Sequence, residues 1–215
     1  WPYRRDIHAL LLDYLRDAGA RSVAFDMVFD EARDGDALLA RSMAKRPDVV
    51  LGMAGLRQAL DHRGVPAALR QRFSLGASGD DGAVDWAAMT WPTPTLMAAL
   101  PGPGALGMIS TPLEADRRLR KVPLLHDAEG HRLPSLPLAL FLVQATPPAR
   151  VAWSPGTLVV GDRQWPVDPD GRARVLLPSN AMQVPTLAYR PVIEAALGER
   201  VDHDLHEAIT GRTVF

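Results

Sequence analysis

The sequence predicts an α/β fold with a central, mostly parallel sheet flanked by helices and additional antiparallel strands in the C-terminal half. In the first half, helical apolar patterns alternate with short apolar runs, and the connections are short, as is typical of a parallel sheet. In the second half, short strand patterns are separated by turns that contain Gly and Asp. The chain has 215 residues, of which 47% are hydrophobic. That content is sufficient for a core, and we expect a single domain over residues 1–215.

The first predicted elements are an amphipathic helix and a buried strand. Apolar residues recur at the i, i+3, i+4, i+7 spacing over residues 7–18. Asp6 provides an N-cap for this helix, and Gly19 provides a C-terminal stop. The run 23–29 is apolar on both faces except at Asp26, which predicts a buried strand.

A second helix and a second strand follow. The acidic segment 30–36 leads into the helix, which we expect to end before Pro47. Residues 49–53 form the next predicted strand. Residues 56–91 show no clear period and predict a long irregular excursion. The residues of the second helix that we expect to face the core are Leu38, Leu39, Ser42 and Met43.

The remaining elements are shorter. Thr93 and Pro94 are a good N-cap and first residue for a helix that ends at Leu100. The sequence then predicts a strand at 105–109, part of a hairpin at 119–130, a buried helix at 135–143, short strands at 158–160, 164–167 and 174–177, a helix at 191–197 and a final strand at 212–215.

Composition excludes several classes of function. A net charge of -1 with 23% charged residues argues against a nucleic-acid binder and against a disordered chain. The absence of Cys rules out disulfides, thiol nucleophiles and cysteine-ligated zinc. No stretch reaches the roughly 18 apolar residues of a membrane span. We expect the chain to be a segment of a longer polypeptide.

Carboxylates cluster after the first predicted strand. Ligands of open α/β sheets bind at the carboxyl edge of the strands, and hard cations prefer oxygen ligands. A competing interpretation is that Asp34 or Asp36 caps the second helix while the other acids favour its positive N-terminus. An acid in a buried strand also requires a partner, for which Arg117 and Arg120 are candidates. The predicted ligand-contacting residues are Asp26, Asp30, Asp34, Asp36 and Arg117.

Several other patterns resemble functional motifs but are better explained by structural roles. His203 and His206, with neighbouring Asp residues, resemble a metal cluster but lack a third ligand of defined spacing, so a solvated helix end is favoured. Residues 168–171 imitate the start of a calcium loop and predict a hairpin turn. Trp86 and Trp91 either cover an apolar groove or anchor the long excursion, and we favour the anchor. No nucleophile elbow or phosphate loop is present, so we expect no catalytic residues, cofactor or bound metal.

The order of these motifs resembles that of the extracytoplasmic CHASE sensor domain, type 2 (cyclase/histidine-kinase-associated sensory extracellular). The resemblance extends over almost the whole chain and is weakest at 56–91. The motifs that carry it are Trp1-Pro2 before the first helix, the segments 11–15, 18–21, 24–29, 36–40 and 48–51, the Arg-rich segment 116–120, the segments 123–125 and 133–140, and the closing segments 189–198 and 205–215.

The resemblance implies a sensory input domain without chemistry of its own. Such a domain is the extracytoplasmic, periplasmic part of a bacterial inner-membrane receptor and lies between membrane spans. It binds a small-molecule ligand, usually acts as a homodimer and controls a cytoplasmic adenylate or diguanylate cyclase, histidine kinase or Ser/Thr kinase in the same full-length chain. The alternatives are an α/β hydrolase-like enzyme and a periplasmic solute-binding module.

The receptor interpretation also makes a geometric prediction. Both ends of the domain must approach the same membrane face, which requires the final strand to pack close to the first helix or its strand. Val214 and Phe215 should then be partly exposed.

Overall fold

The computed structural model describes residues 3–58, 65–77, 82–145, 150–154, 156–175, 185–199 and 203–215. Within these ranges the helices are α1 (Arg5–Asp17), α2 (Asp36–Ala44), α3 (Ala67–Gln71), α4 (Pro94–Ala99), α5 (Leu136–Gln144), α6 (Tyr189–Ala196) and α7 (His203–Ile209). The strands are β1 (Ser22–Phe25), β2 (Val49–Leu56), β3 (Val84–Trp86), β4 (Ala88–Thr90), β5 (Leu106–Met108), β6 (Lys121–Pro123), β7 (Leu125–Ala128), β8 (His131–Pro134), β9 (Val151–Ser154), β10 (Thr157–Val160), β11 (Arg163–Pro166), β12 (Arg172–Arg174) and β13 (Thr213–Val214).

The central sheet is parallel in the order β13-β1-β2-β5, as predicted. Phe25 of β1 pairs with Leu51 of β2, which in turn pairs with Leu106 of β5. Strands buried on both faces need apolar residues at consecutive positions, and β2 begins with such a run. Beyond the parallel pairs, β2 continues and pairs antiparallel with β4.

Helices cover both faces of this sheet. Because side chains alternate along a strand, Val49 and Leu51 face the cluster formed with α1, α2 and α4, whereas Val50 faces the opposite side. On that opposite side α5 packs through Ala139 and Leu140, and its apolar run is accordingly buried nearly all round. The prediction of helices on both faces is confirmed.

The structure confirms α1 and α2, and it corrects one predicted cap of α1 and one predicted core residue of α2. Gly19 has a φ of 77° and closes α1 as predicted, because the left-handed conformation lets the amide of Ala20 donate to the carbonyl of Leu15 (2.9 Å). Asp6 lies inside the first turn instead of capping it. In α2, Leu39, Ser42 and Met43 are buried, but Leu38 is 44% exposed because it lies outside the stripe that contacts the sheet.

The excursion at residues 56–91 contains more order than the sequence predicts. It includes α3, β3 and β4, and β4 pairs with the far end of β2. Trp86 lies against Gly55, where an added Cβ would be only 2.3 Å from the indole ring. Trp91 is buried in the main core. These contacts confirm that the two Trp residues act as anchors.

The C-terminal half adds small antiparallel sheets. Strands β7 and β8 form a hairpin whose two central turn residues, Glu129 and Gly130, both have positive φ, as a type I′ turn requires. Strands β9, β10 and β11 form a meander. Strand β12 pairs antiparallel with β6, so the turn at 168–171 joins strands of two different sheets, and the hairpin expected there is wrong.

The final strand lies beside the first, as predicted. Strand β13 pairs parallel with β1, and its start is held at the end of α1, where Thr210 donates to the carbonyl of Ala18 (2.9 Å). Helix α1 therefore runs antiparallel to β13, so the start of α1 and the end of β13 point toward the same edge of the sheet. Val214 is partly buried and Phe215 is 73% exposed, which confirms the expectation for these two residues.

Candidate functional site

The predicted acidic site lies at the carboxyl edge of the sheet, but its members have different environments. Strand β1 ends at Phe25, and Asp26 is exposed, so the prediction of a buried acid there is wrong. The strand is shorter than the apolar run of the sequence, so Asp26 lies beyond its end. Because Asp26 is exposed to solvent, it needs no buried partner. Asp30 and Asp34 are also exposed.

Asp36 is the exception, because it is buried in an ion pair. Its Oδ1 accepts a hydrogen bond from Nε of Arg5 at 3.0 Å, and the two side chains are only 10% and 5% exposed. The Arg5 guanidinium also lies 4.2 Å from the ring centre of Phe29. The second oxygen of Asp36 accepts from the backbone amide of Arg33 (3.3 Å) and from the hydroxyl of Thr93 (3.4 Å). Both oxygens of the carboxylate therefore accept hydrogen bonds, and these connect α1, α2 and the start of α4.

The capping interpretation of these acids also needs correction. The N-cap of α2 is Gly35, with a φ of 92°, and Asp36 is the first helical residue. A Cβ on Gly35 would lie 2.7 Å from the amide nitrogen of Asp6, so the close approach of α1 excludes a side chain there. A carboxylate in the first turn of α2 still interacts favourably with the helix dipole.

No hydrogen bond or ion pair joins Arg117 to any of the four predicted acids within the described ranges. Arg120 instead pairs with Glu114 and Asp116, both at 2.6 Å. Among the described residues, no group of three or more His, Asp or Glu side chains is placed to hold a metal ion. His203 and His206 are exposed on α7, and Asp202 lies outside the described residues. Ligand binding at the acidic edge stays a prediction.

A second candidate site is a cleft of about 560 Å³ beside the β6–β12 ladder, which the sequence did not indicate. Its volume is within the range of small-molecule sites. Residues that are separated by some 50 positions in the sequence meet here because β12 pairs with β6. The lining residues are Glu114, Leu119, Arg120, Lys121, Asp168, Asp170, Arg172, Arg174 and Val175.

The antiparallel register explains why the ladder presents basic side chains to the cleft. Arg174 lies directly opposite Lys121, and Arg172 lies opposite Pro123, so these three basic side chains belong to one face of the ladder. The alternating residues Val122 and Ala173 face the other way and pack on the second apolar cluster. The ladder thus has an apolar face toward the core and a basic face toward the cleft.

Asp168 joins the turn before β12 to Lys121 of β6. Its Oδ1 accepts from the backbone amides of Asp170 (3.1 Å) and Arg172 (2.9 Å), and its Oδ2 accepts from Nζ of Lys121 (2.7 Å). Partial burial raises the pKa of Asp168, but the hydrogen bonds from Lys121 and from these amides outweigh it, and the net pKa shift is downward. The carboxylate therefore stays ionised and neutralises Lys121.

Two arginines of the cleft have no such partner. The side chains of Arg172 and Arg174 make no ion pair or hydrogen bond with any described residue, and Nε of Arg172 is buried. Arg120, in contrast, is held by its two acids, and the hydrogen bond that it donates to Asp116 is the largest cause that raises its pKa. The free positive charge of the cleft is therefore concentrated on β12.

The turn that precedes β12 is fixed by a contact between two glycines. A Cβ on Gly171 would lie 2.5 Å from the carbonyl oxygen of Gly82, and a Cβ on Gly82 would lie 2.7 Å from the carbonyl carbon of Asp170. Both glycines have positive φ. The backbone of this turn is thereby placed against the segment that leads into β3, which positions Asp168 and Arg172.

A buried polar contact links the β3–β7–β8 sheet to the central sheet. The indole of Trp86 donates to Nδ1 of His126 at 3.1 Å, and Trp86 covers Gly55 of β2. Burial lowers the pKa of His126 to about 3, so its ring is neutral and Nδ1 is free to accept. This contact is structural and lies apart from the residues that line the cleft.

Comparison with known proteins gives one match. A family model described as "CHASE2 domain" matches residues 1–215. Neither a search of curated proteins nor a search of solved structures returned a match. Within the described residues, no helix has the length and apolar character needed to cross a membrane.

Proposed function

The chain belongs to the CHASE2 domain family, whose members are sensory domains of signalling receptors, and on this premise we propose that it is the periplasmic input domain of a bacterial transmembrane receptor. In this role it binds a small molecule and controls an adenylate or diguanylate cyclase or a protein kinase in the same full-length chain. The observation that carries the proposal is the family match over residues 1–215.

The direction of the chain at the two ends of the fold supports this arrangement. Helix α1 begins, and β13 ends, toward the same edge of the central sheet. Connections that leave a domain at one edge reach the same membrane without crossing the domain. The receptor then has one membrane-facing edge, and the ligand changes the position of α1 or β13 relative to the rest.

Strand β13 is suited to transmit such a change because it is short and held by few contacts. It spans Thr213–Val214 and pairs on one side with β1. The side-chain amide of Gln144, at the end of α5, donates to the hydroxyls of Ser22 (2.8 Å) and Thr213 (3.3 Å). A ligand shifts such an arrangement only by binding one of two states more tightly than the other.

We expect the receptor to act as a homodimer, since two copies of an input domain give a symmetric signal to two effector domains. The start of α1, where Asp6 and Ile7 are partly exposed, and the exposed Phe215 after β13 point toward the same edge, and we propose them as the surfaces for that contact.

The experiment uses the full-length receptor in bacterial inner membranes. Reporter fusions before and after the domain establish on which side of the membrane it lies, and effector output is measured with the domain intact and with Gln144 replaced by Ala. We expect a periplasmic location and an altered output. A cytoplasmic location, or turnover of ester, phosphate or nucleotide substrates by the isolated domain, would refute the proposal in favour of an enzyme.

A further inference from the structure

We propose that the cleft beside the β6–β12 ladder binds a small organic anion through Arg172 and Arg174. This deepens the proposed sensory function by naming the chemical class of the ligand, and its role as a signal rests on that function. The binding itself depends only on the cleft.

Two arginines of the cleft keep a free positive charge after the internal ion pairs are formed. Lys121 is neutralised by Asp168, and Arg120 is neutralised by Glu114 and Asp116. Arg172 and Arg174 have no acid partner among the residues that the structure describes. An anion that enters the cleft therefore meets two arginines that do not have to give up an existing ion pair.

Arg172 and Arg174 are positioned to contact the same ligand. They are two positions apart on β12, so both belong to the face of the ladder that lines the cleft. Arg174 also lies directly opposite Lys121 across the ladder. Guanidinium groups match carboxylate and phosphate oxygens in a bidentate geometry.

The size of the cleft and its apolar surface suit an organic ligand. A volume of about 560 Å³ exceeds the needs of an inorganic ion and is typical of a small-molecule site. Leu119, which is exposed, and Val175 are part of the lining. They offer apolar surface to the carbon skeleton of a ligand whose acidic group is held by the arginines.

Asp170 allows a test of whether the cleft binds an anion or a cation. Its side chain lines the cleft and makes no hydrogen bond or ion pair within the described ranges. A cation would use this carboxylate, whereas an anion is repelled by it. Asp170→Asn should therefore tighten anion binding.

The test is calorimetric titration of the chain with succinate, glycerol 3-phosphate and inorganic phosphate, each compared with chloride at equal ionic strength. We expect an organic anion to bind more tightly than phosphate and chloride. Arg174→Gln should weaken binding about tenfold, since it removes a charge-assisted hydrogen bond, and Arg172→Gln/Arg174→Gln should abolish it. Arg118→Gln is the control. It removes an exposed arginine next to Leu119 that does not line the cleft, and it should change the affinity for the anion by less than twofold.

The outcomes separate the two proposals. Binding that is equal for all anions, unchanged in Arg174→Gln, or weakened by Asp170→Asn would overturn the anion site. Arg174 is exposed, so its single variant keeps the result interpretable even where the double variant does not fold. If no anion binds to the chain but the full receptor still gives its response, only the proposed anion site is refuted. If an anion binds to the chain but the full receptor does not respond to that anion, the sensory role of the site is refuted.

Discussion

Arg5 and Asp36 form a buried ion pair, 3.0 Å from Nε to Oδ1, that joins the first turn of α1 to the first turn of α2. The pair sits beside Phe29, in the segment that connects β1 to α2. Because α1 begins at the edge toward which β13 ends, this ion pair fixes the start of α1 at the edge that we propose faces the membrane.

We expect Asp36→Asn to destabilise the fold by about 3–5 kcal/mol, because it leaves the Arg5 guanidinium buried without a counter-charge. The free energy of unfolding in urea measures this change. Asp34→Asn is the matched control, since Asp34 is exposed two residues away, and it should change stability by less than about 0.5 kcal/mol. Equal effects of the two variants would contradict a structural role specific to the ion pair.

Stability should fall in mildly acidic solution because of two buried histidines. Burial lowers the pKa of His126 to about 3, and burial together with the positive charge of Arg5 lowers the pKa of His8 to about 4. Both values lie below 6.5, the value for the unfolded chain. Between these limits the unfolded chain binds more protons, so the free energy of unfolding decreases as the pH falls from about 6.5 toward 4.

The variant His126→Gln tests this assignment. Gln keeps an acceptor for the Trp86 indole but does not titrate, so the decrease between pH 6 and pH 4 should become shallower by about 1.4 kcal/mol per pH unit, the contribution of one proton. Urea titrations at several pH values provide the measurement. Parallel pH curves for the two proteins would show that His126 does not contribute.

Gly55→Ala should destabilise the fold by about 1–3 kcal/mol, because the new Cβ would be 2.3 Å from the ring of Trp86. The control is the same substitution in a Trp86→Leu background, where the clash is absent and the cost should be smaller. The double-mutant cycle gives the coupling energy. A coupling near zero would mean that the strand adjusts without involving Trp86.

Gln144→Ala should loosen β13, because it removes the hydrogen bonds to Ser22 and Thr213. We expect faster amide hydrogen exchange at Val214, with little change in the core of β2. The control is Gln164→Ala on β11, where the side chain is exposed. Unchanged exchange at Val214 would indicate that β13 is held by the rest of the sheet, and would remove Gln144 from the proposed route of the signal.

The acidic edge and the cleft make separable predictions. We expect an organic anion to raise the thermal midpoint, and Asp30→Asn/Asp34→Asn to leave that increase unchanged, since neither carboxylate lines the cleft. A midpoint that rises only with a divalent cation, and no longer rises in the Asp30→Asn/Asp34→Asn protein, would instead support the site predicted from the sequence.

Local patterns were sufficient to predict most of the elements that build the central sheet. The helical period of α1, its stop at Gly19, the apolar runs of β2 and β5 and the apolar helix α5 are all properties of neighbouring residues. Because each of these elements has one way to bury its apolar face, the parallel α/β architecture followed from their order. The family resemblance, carried by the same motifs, is confirmed over the whole chain.

The positions of charged side chains were decided only by the tertiary structure. Asp26 and Asp36 look alike in the sequence, but β1 ends one residue before the first, while α1 brings Arg5 to the second. Likewise, Lys121 and Arg174 share a cleft only because β6 pairs with β12. A charge is governed by its neighbours in space, and strand pairing across some 50 residues leaves no periodic signal in the chain, so neither the ion pair nor the cleft could be predicted from the sequence alone.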